Sequence, residues 1–246
     1  MKLTIHHLYA DMMNLYGDRG NVISLKKRCE WRGIGVEVVD VGLGERIAPT
    51  GCDIFLFGGG QDREQSLLAE DLSGSKGADL RAIVDDGGVV LGVCGGYQLM
   101  GHYYETLDGE KLPGVGIFDL HTEPGADDEA RLIGNVLVHI ALDDDSSQEI
   151  VGFENHGGRT YLDGVEPLGE VVAGHGNNGR DSYEGARRYN AYGTYLHGSL
   201  LPKNPWLADK LIRSAIEKDL DGFELEPLDD AIEHAAFEAI SRRVTA

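Results

Sequence analysis

At 246 residues, 41% of them apolar, the chain has the length of a single α/β unit and ample material for one core. Its 22 basic and 42 acidic residues leave a net charge of −20, which argues against nucleic-acid binding, since Lys and Arg are needed to displace the counterions of a phosphate backbone; so much acid reads as a solvated surface. Three cysteines, Cys29, Cys52 and Cys94, do not make a disulfide framework, no apolar run approaches the ~20 residues of a membrane span, and Met1-Lys2-Leu3-Thr4-Ile5-His6-His7 lacks a signal-peptide core, so a soluble, cytoplasmic protein is expected.

Strands and helices alternate over the first hundred residues. Leu3 to Leu8 predicts a strand, and Asn21 to Trp31 a helix stopped by Gly33. Val36 to Val41 and Asp53 to Phe57 are short, β-branched or aromatic, and bounded by glycine, as buried strands are. Leu80, Ile83 and Val84 share a helical face before Gly87-Gly88, and Val89 to Val93 is another apolar strand. Strands separated by helices pair in parallel through right-handed crossovers, which gives a doubly wound α/β sheet. From Val115 to His197 the pattern changes. Asn135 to Leu142, Ile150 to Phe153, Val171 to Ala173 and Ala191 to Leu196 are strand-like and joined by Gly, Asn and Asp turns, so they are expected to add antiparallel strands at the sheet edge. Asn204-Pro205 supplies an N-cap and first-turn pair for a helix carrying Leu207, Leu211, Ile212 and Ala215. A last helix near Asp230 to Arg243 places Ile232, Ala236, Ala239 and Ile240 on one face. The expected division is a main domain over 1–202 and a helical extension over 203–246 packed on it.

The residues that carry chemistry begin at Leu91-Gly92-Val93-Cys94-Gly95-Gly96-Tyr97-Gln98-Leu99-Met100. An apolar strand runs through glycine into a nucleophile, two glycines and a helix, which is the pattern of a nucleophile elbow. Gly92 and Gly96 stand where side chains would collide with the turn, and the helix turns its N–H groups toward the sulfur, stabilising negative charge there. A buried structural cysteine is the competing reading, but the strand–turn–helix context favours a nucleophile. Cys29 and Cys52 have no such surroundings and read as packing residues. A thiolate that attacks an acyl group needs a base, which also protonates the departing amine. Of the nine histidines, His197 in Tyr192-Gly193-Thr194-Tyr195-Leu196-His197-Gly198 ends an apolar strand, where parallel sheets place their sites; His156, in Phe153-Glu154-Asn155-His156-Gly157-Gly158-Arg159, is the competitor. Phe57-Gly58-Gly59-Gly60-Gln61-Asp62 follows a buried strand and offers bare backbone N–H groups for a developing oxyanion; a plain tight turn is the other reading.

Two signals are negative. Gly174-His175-Gly176-Asn177-Asn178-Gly179 matches G-x-G-x-x-G but leads into turn-like sequence, so it reads as a hairpin loop and not a dinucleotide site. No His/Cys cluster has metal-ligand spacing, and no P-loop is present.

Together these blocks resemble the class I (triad-type) glutamine amidotransferases, and specifically their cobyric-acid-synthase-like branch. Asn14-Leu15-Tyr16-Gly17-Asp18-Arg19-Gly20-Asn21, Gly58-Gly59-Gly60-Gln61-Asp62-Arg63-Glu64-Gln65, Gly152-Phe153-Glu154-Asn155-His156-Gly157-Gly158-Arg159-Thr160 and Gly193-Thr194-Tyr195-Leu196-His197-Gly198 are similar to the GatD group, the glutaminase subunits of MurT/GatD lipid II isoglutaminyl synthases. The resemblance implies hydrolysis of L-glutamine through a Cys94 thioester with His197 as catalytic histidine, and ammonia delivery to a MurT-like Mur ligase subunit that binds ATP and Mg. The acceptor would be the D-glutamate carboxyl of the lipid II stem peptide. It also implies that Arg131 binds substrate glutamine, which suits a guanidinium facing an α-carboxylate, and that Gln98 and Gly60 contact glutamine. No cofactor is expected in this chain. Most class I enzymes carry a glutamate two residues after the histidine; here that position is Ser199. The resemblance implies that the partner supplies the acid. The alternative is a subunit of a cobyric-acid-synthase-like, cofactor-amidating system; because the chain opens on its own first strand, either reading expects a separate synthetase partner.

Overall fold

The computed structural model describes residues 1–13, 18–51, 53–60, 62–126, 128–143 and 146–245. Cys52, Gln61 and the 14–17 portion of the first quoted block lie outside the described residues.

Six strands form the main sheet in the order β13-β14-β4-β3-β1-β2, with β1 Lys2–Leu8, β2 Gly35–Val41, β3 Asp53–Phe57, β4 Val89–Val93, β13 Ala186–Arg188 and β14 Ala191–Thr194. All neighbours pair in parallel except β13, which runs antiparallel at the edge beside β14. Every residue of β3 and β4 is buried, as expected for strands covered on both faces. Helix α1 (Arg19–Trp31) and helix α6 (Pro205–Glu217) touch each other and the sheet. Helix α6 buries Leu207, Leu211, Ile212 and Ala215. Between β3 and β4 lie α2 (Asp62–Asp71) and α3 (Gly77–Asp85), the latter against β4. His6 serves the core, stacking on Phe55 at 4.5 Å and bonding Asp53 at 2.8 Å. Among the described residues, no helix is long and apolar enough to cross a membrane.

The chain leaves the elbow through α4 (Gly95–Leu99) into a second, four-stranded sheet. Its order is β10-β7-β5-β6, from β5 Tyr103–Glu105, β6 Lys111–Pro113, β7 Leu120–Pro124 and β10 Gly158–Leu162. A third sheet, β12-β11-β8-β9, is built on the long hairpin of β8 (Leu132–Asp143) and β9 (Ser146–His156), with β11 Gly169–Ala173 and β12 Tyr183–Glu184. Antiparallel strands are therefore present, but of the expected segments only Ala191 to Leu196 belongs to the main sheet, as β14. The other three lie together in the third sheet, because β8 finds its hydrogen-bond partners in β9 on one side and β11 on the other. The G-x-G-x-x-G segment joins β11 to its antiparallel neighbour β12, as a hairpin loop.

Two helix expectations change in detail. Asn204 precedes α6 but makes no capping bond with its side chain. Its amide instead bonds both the N–H and the C=O of Val151 and the carbonyl of Leu200, tying β9 to the short helix α5 (Leu200–Lys203). In α7 (Ala231–Val244) Ala236, Ala239 and Ile240 are half-buried, whereas Ile232 is 82% exposed because it lies in the first turn, beyond the packed face. The C-terminal segment is anchored by charge. Arg28 of α1 grips Asp209 at 2.7 and 2.8 Å and Asp230 at 2.5 and 2.9 Å, a set of bidentate pairs.

Buried Glu184 makes folding sensitive to pH. Its Oε1 accepts the Thr194 hydroxyl and the Tyr195 N–H, each at 2.7 Å. Burial nevertheless dominates and raises its pKa to about 7. The folded state therefore holds a proton that the unfolded state releases above about pH 4.5. Stability should fall between about pH 4.5 and 7, by on the order of 3 kcal/mol from this group. Urea unfolding at pH 5 and pH 8 should show this drop in the wild type, and a markedly smaller one in Glu184→Gln.

Candidate active site

Strand β4 ends at Val93, and the chain turns at Cys94 with φ 50° and ψ −108° before α4 begins. A side chain held in that region costs of order 1–3 kcal/mol, so neighbours must hold the turn. The Cys94 N–H donates to the Thr194 carbonyl of β14 at 2.8 Å, and the Gly96 N–H to the Gly58 carbonyl beyond β3 at 3.0 Å. Gly96 is required by close approach: a Cβ there would lie 2.4 Å from the Phe57 carbonyl oxygen. The elbow is clamped between the two neighbouring strands, with Cys94 a free thiol, 8% exposed.

His197 arrives three residues beyond β14. Its backbone pairs with Phe153 of β9, donating at 2.8 Å and accepting at 3.4 Å, so two sheets fix its position. Its fully buried ring lies close to the Cys94 side chain and interacts with it electrostatically. Gly59 fits between them: a Cβ on it would lie 3.0 Å from His197 Cε1 and 3.3 Å from Cys94 Cβ. Burial opposes the imidazolium, but negative charge at Cys94 and at Asp18 outweighs it and pushes the ring pKa up to about 10.

Asp18 was not singled out from the sequence. It precedes α1, is 3% exposed, and sets Oδ1 3.8 Å from His197 Nδ1 while Oδ2 accepts the Gly59 N–H at 2.7 Å. Of the loop expected to supply oxyanion donors, Gly59 therefore turns its amide to Asp18. The Gly60 nitrogen lies 3.1 Å from where a Gly95 Cβ would stand, next to the residue that follows Cys94.

In front of Cys94 opens a cavity of about 340 Å³, large enough for an amino acid. Gly60, Gln98 and Arg131, all expected from the sequence, line it with Gln65, Glu129 and His156. Arg131 stands exposed, its Nε and Nη2 donating to Asn155 Oδ1 at 3.1 Å and to the Asn155 carbonyl at 3.0 Å. Those bonds hold the guanidinium in one orientation. Gln98 is buried and already engaged: Oε1 accepts Gln65 Nε2 at 2.7 Å and Nε2 donates to the Tyr195 hydroxyl at 3.0 Å. Tyr195 continues to Thr160 (2.6 Å) and Thr122 (2.7 Å beyond it), a buried network that stiffens the cavity floor. His156, the competing base, stacks flat on Tyr195 at 3.5 Å. Its Nδ1 donates to the Gly158 carbonyl at 2.8 Å, and burial lowers its pKa to about 3, so it lines the cavity as a neutral ring. Cys29 is fully buried, its thiol pushed up to about 12 chiefly by burial, which fits a packing residue.

A strained cysteine at the C-terminal edge of a parallel sheet, beside a buried histidine and lining a cavity, is a layout suited to acyl transfer from amides. The model of the CobB/CobQ-like glutamine amidotransferase domain matches residues 4–205, and the chain belongs to that family. The Staphylococcus aureus protein named lipid II isoglutaminyl synthase (glutamine-hydrolyzing) subunit GatD is 43% identical over 242 residues, covering 98% of this chain and 96% of its own. The protein of the same name from Streptococcus pneumoniae is 42% identical over 218 residues, covering 88% and 82%. Among solved structures, PurLQS from Thermotoga maritima aligns with a TM-score of 0.60 over 90% of this chain and 99% of the matched one, at 15% identity, a likeness of fold alone.

Proposed function

We propose that this chain is the glutaminase subunit of a two-subunit amidating enzyme. It would hydrolyse L-glutamine and pass ammonia to a MurT-type, Mur-ligase-like partner that amidates the D-glutamate of the lipid II stem peptide to D-isoglutamine. The Cys94 sulfur, its proton already held by His197, attacks the side-chain amide carbon. The C–N bond then breaks, and His197 gives that proton to the leaving ammonia. Water, deprotonated by His197, next cleaves the thioester, releasing glutamate and restoring the thiol. The Gly60 and Gly95 amides face the oxyanion in both steps. Arg131 holds the α-carboxylate at the cavity mouth, and Gln98 acts on the bound glutamine from the floor. ATP and Mg would sit on the partner. Cytoplasmic location suits the chemistry, since the nucleophile must stay reduced.

The observation that carries this reading is Cys94, with His197 buried beside it, lining a cavity that a hydrogen-bonded guanidinium also lines. The near full-length similarity to two GatD proteins supports the acceptor. The test is isotope transfer. Glutamine labelled with ¹⁵N in its amide, given to the chain co-purified with its ligase partner, ATP and lipid II, should place the label in the stem-peptide carboxamide. Label recovered solely as free ammonia, or in a corrinoid acceptor instead, would refute it.

A further inference from the structure

We propose that Arg159 is the positioning residue for Arg131, holding in place both the root and the seat of the guanidinium that receives the glutamine α-carboxylate. The inference rests on the glutaminase reading above. Arg159 is the second residue of β10, yet it is only 3% exposed. A cation buried that far is tolerated only where its donors are satisfied. The nearest carboxylate, Glu129, has Oε2 3.5 Å from Arg159 Nε and is shared with Arg180, so charge pairing alone does not account for the burial. The fork is aimed instead at backbone. Nη2 donates to the Ala130 carbonyl at 2.8 Å, and Nη1 to the Gly157 carbonyl at 2.9 Å and the Gly158 carbonyl at 3.4 Å. One guanidinium joins the loop between β7 and β8 to the turn between β9 and β10, and both segments line the glutamine cavity.

Those two anchor points are the ones on which Arg131 depends. Ala130 is the residue before it. Gly157 lies under its tip, since a Cβ there would stand 3.2 Å from Arg131 Nη1. The Gly157 carbonyl also accepts the Gly125 N–H at 3.2 Å, and Glu129 Oε2 accepts the Ala126 N–H at 3.3 Å, so the loop leading to Arg131 is closed on the same side. Arg131 itself is exposed and directs Nε and Nη2 to Asn155, which leaves Nη1 for a substrate carboxylate. A long exposed side chain loses rotamer freedom whenever it binds, and fixing its surroundings beforehand reduces that cost. Only a planar fork reaches two carbonyls on different segments at once; a lysine ammonium is a single point.

Steady-state glutamine hydrolysis by the full-length chain with its ligase partner tests this. Arg159→Lys should raise KM for L-glutamine about 10- to 100-fold, the range for losing a hydrogen bond to a charged group, with kcat within about threefold. The comparison substrate is 4-aminobutanamide, which is glutamine without its α-carboxylate. Its kcat/KM should stay within about threefold of wild type in Arg159→Lys and in Arg131→Met, since neither change touches the amide end. On glutamine, the double variant should be no worse than Arg131→Met alone, because no guanidinium is left to place. A merely structural role would lower kcat/KM for both substrates alike, and its losses would multiply with those of Arg131→Met. Either result overturns the proposal, as does an unchanged KM in Arg159→Lys. Arg159→Gln, which keeps an amide donor, is read in the same way if the lysine variant folds poorly. A wild-type KM in Arg131→Met, or a wild-type complex that does not hydrolyse glutamine, would instead sink the underlying reading and this inference with it.

Discussion

Replacing Cys94 by alanine should reduce glutamine hydrolysis by at least about 10⁴-fold, leaving only what positioning and the oxyanion donors achieve without a nucleophile. Replacing His197 by asparagine should cost nearly as much. The double variant should be no worse than either single one, since the two side chains act as a unit. The same position predicts a stability effect of opposite sign. Cys94 occupies φ 50°, ψ −108°, a strain of order 1–3 kcal/mol that alanine keeps and glycine relieves. Glycine loses roughly 0.5–1 kcal/mol of this through its freer unfolded chain. Cys94→Gly should therefore be inactive yet more stable than Cys94→Ala by about 1 kcal/mol, read by urea unfolding. Equal stability would mean that the elbow stores no strain at this residue.

Gly96→Ala should damage fold and activity together. Its Cβ would stand 2.4 Å from the Phe57 carbonyl oxygen, 2.8 Å from the Phe57 carbonyl carbon and 2.9 Å from the Gly58 carbonyl oxygen. All three are backbone atoms at the end of a buried central strand, so relief requires the elbow and the Gly58–Gly60 loop to part. Overpacking of this kind costs about 1–3 kcal/mol, and a shift near 1 Å at the chemistry costs about 10² in rate. The expectation is both losses at once, measured by thermal unfolding and by ammonia release. Gly134→Ala is the control. A Cβ there meets nothing within 4 Å, so activity should stay within error of the wild type and stability should be equal or slightly higher. An active Gly96→Ala enzyme would show that the elbow and the loop are not coupled.

What could be read before the structure follows from how local each signal is. The elbow announces itself because glycine on both sides of a nucleophile, after an apolar strand, has one steric explanation. The buried strands β3 and β4 were placed to the residue because continuous apolar runs end abruptly in glycine or charge. The placement of Asp18 beside His197 was invisible for the opposite reason. Its motif was noticed, but a lone acid before a helix reads as a cap. Only the fold brings it to a histidine at the far end of the chain, and the structure gives it no capping bond. Gln65 was hidden likewise inside a quoted block, since the sequence does not reveal that Gln98 will need a partner. The grouping of the later strands into separate sheets escaped because period-two patterning gives a strand's faces but not its neighbours. Ile232 was assigned to a packed face by spacing alone, and spacing does not say where the face ends.

The pairing of Cys94 with His197 at the cavity is most directly tested by a glutamine-mimicking electrophile such as a diazoketone analogue, with the adduct mapped by mass spectrometry. The adduct should form on Cys94, be slowed by excess L-glutamine, and form far more slowly in His197→Ala, while Cys29 and Cys52 stay unmodified. Adducts spread evenly over the three thiols, or no protection by glutamine, would contradict the assignment of this cysteine and this cavity to glutamine.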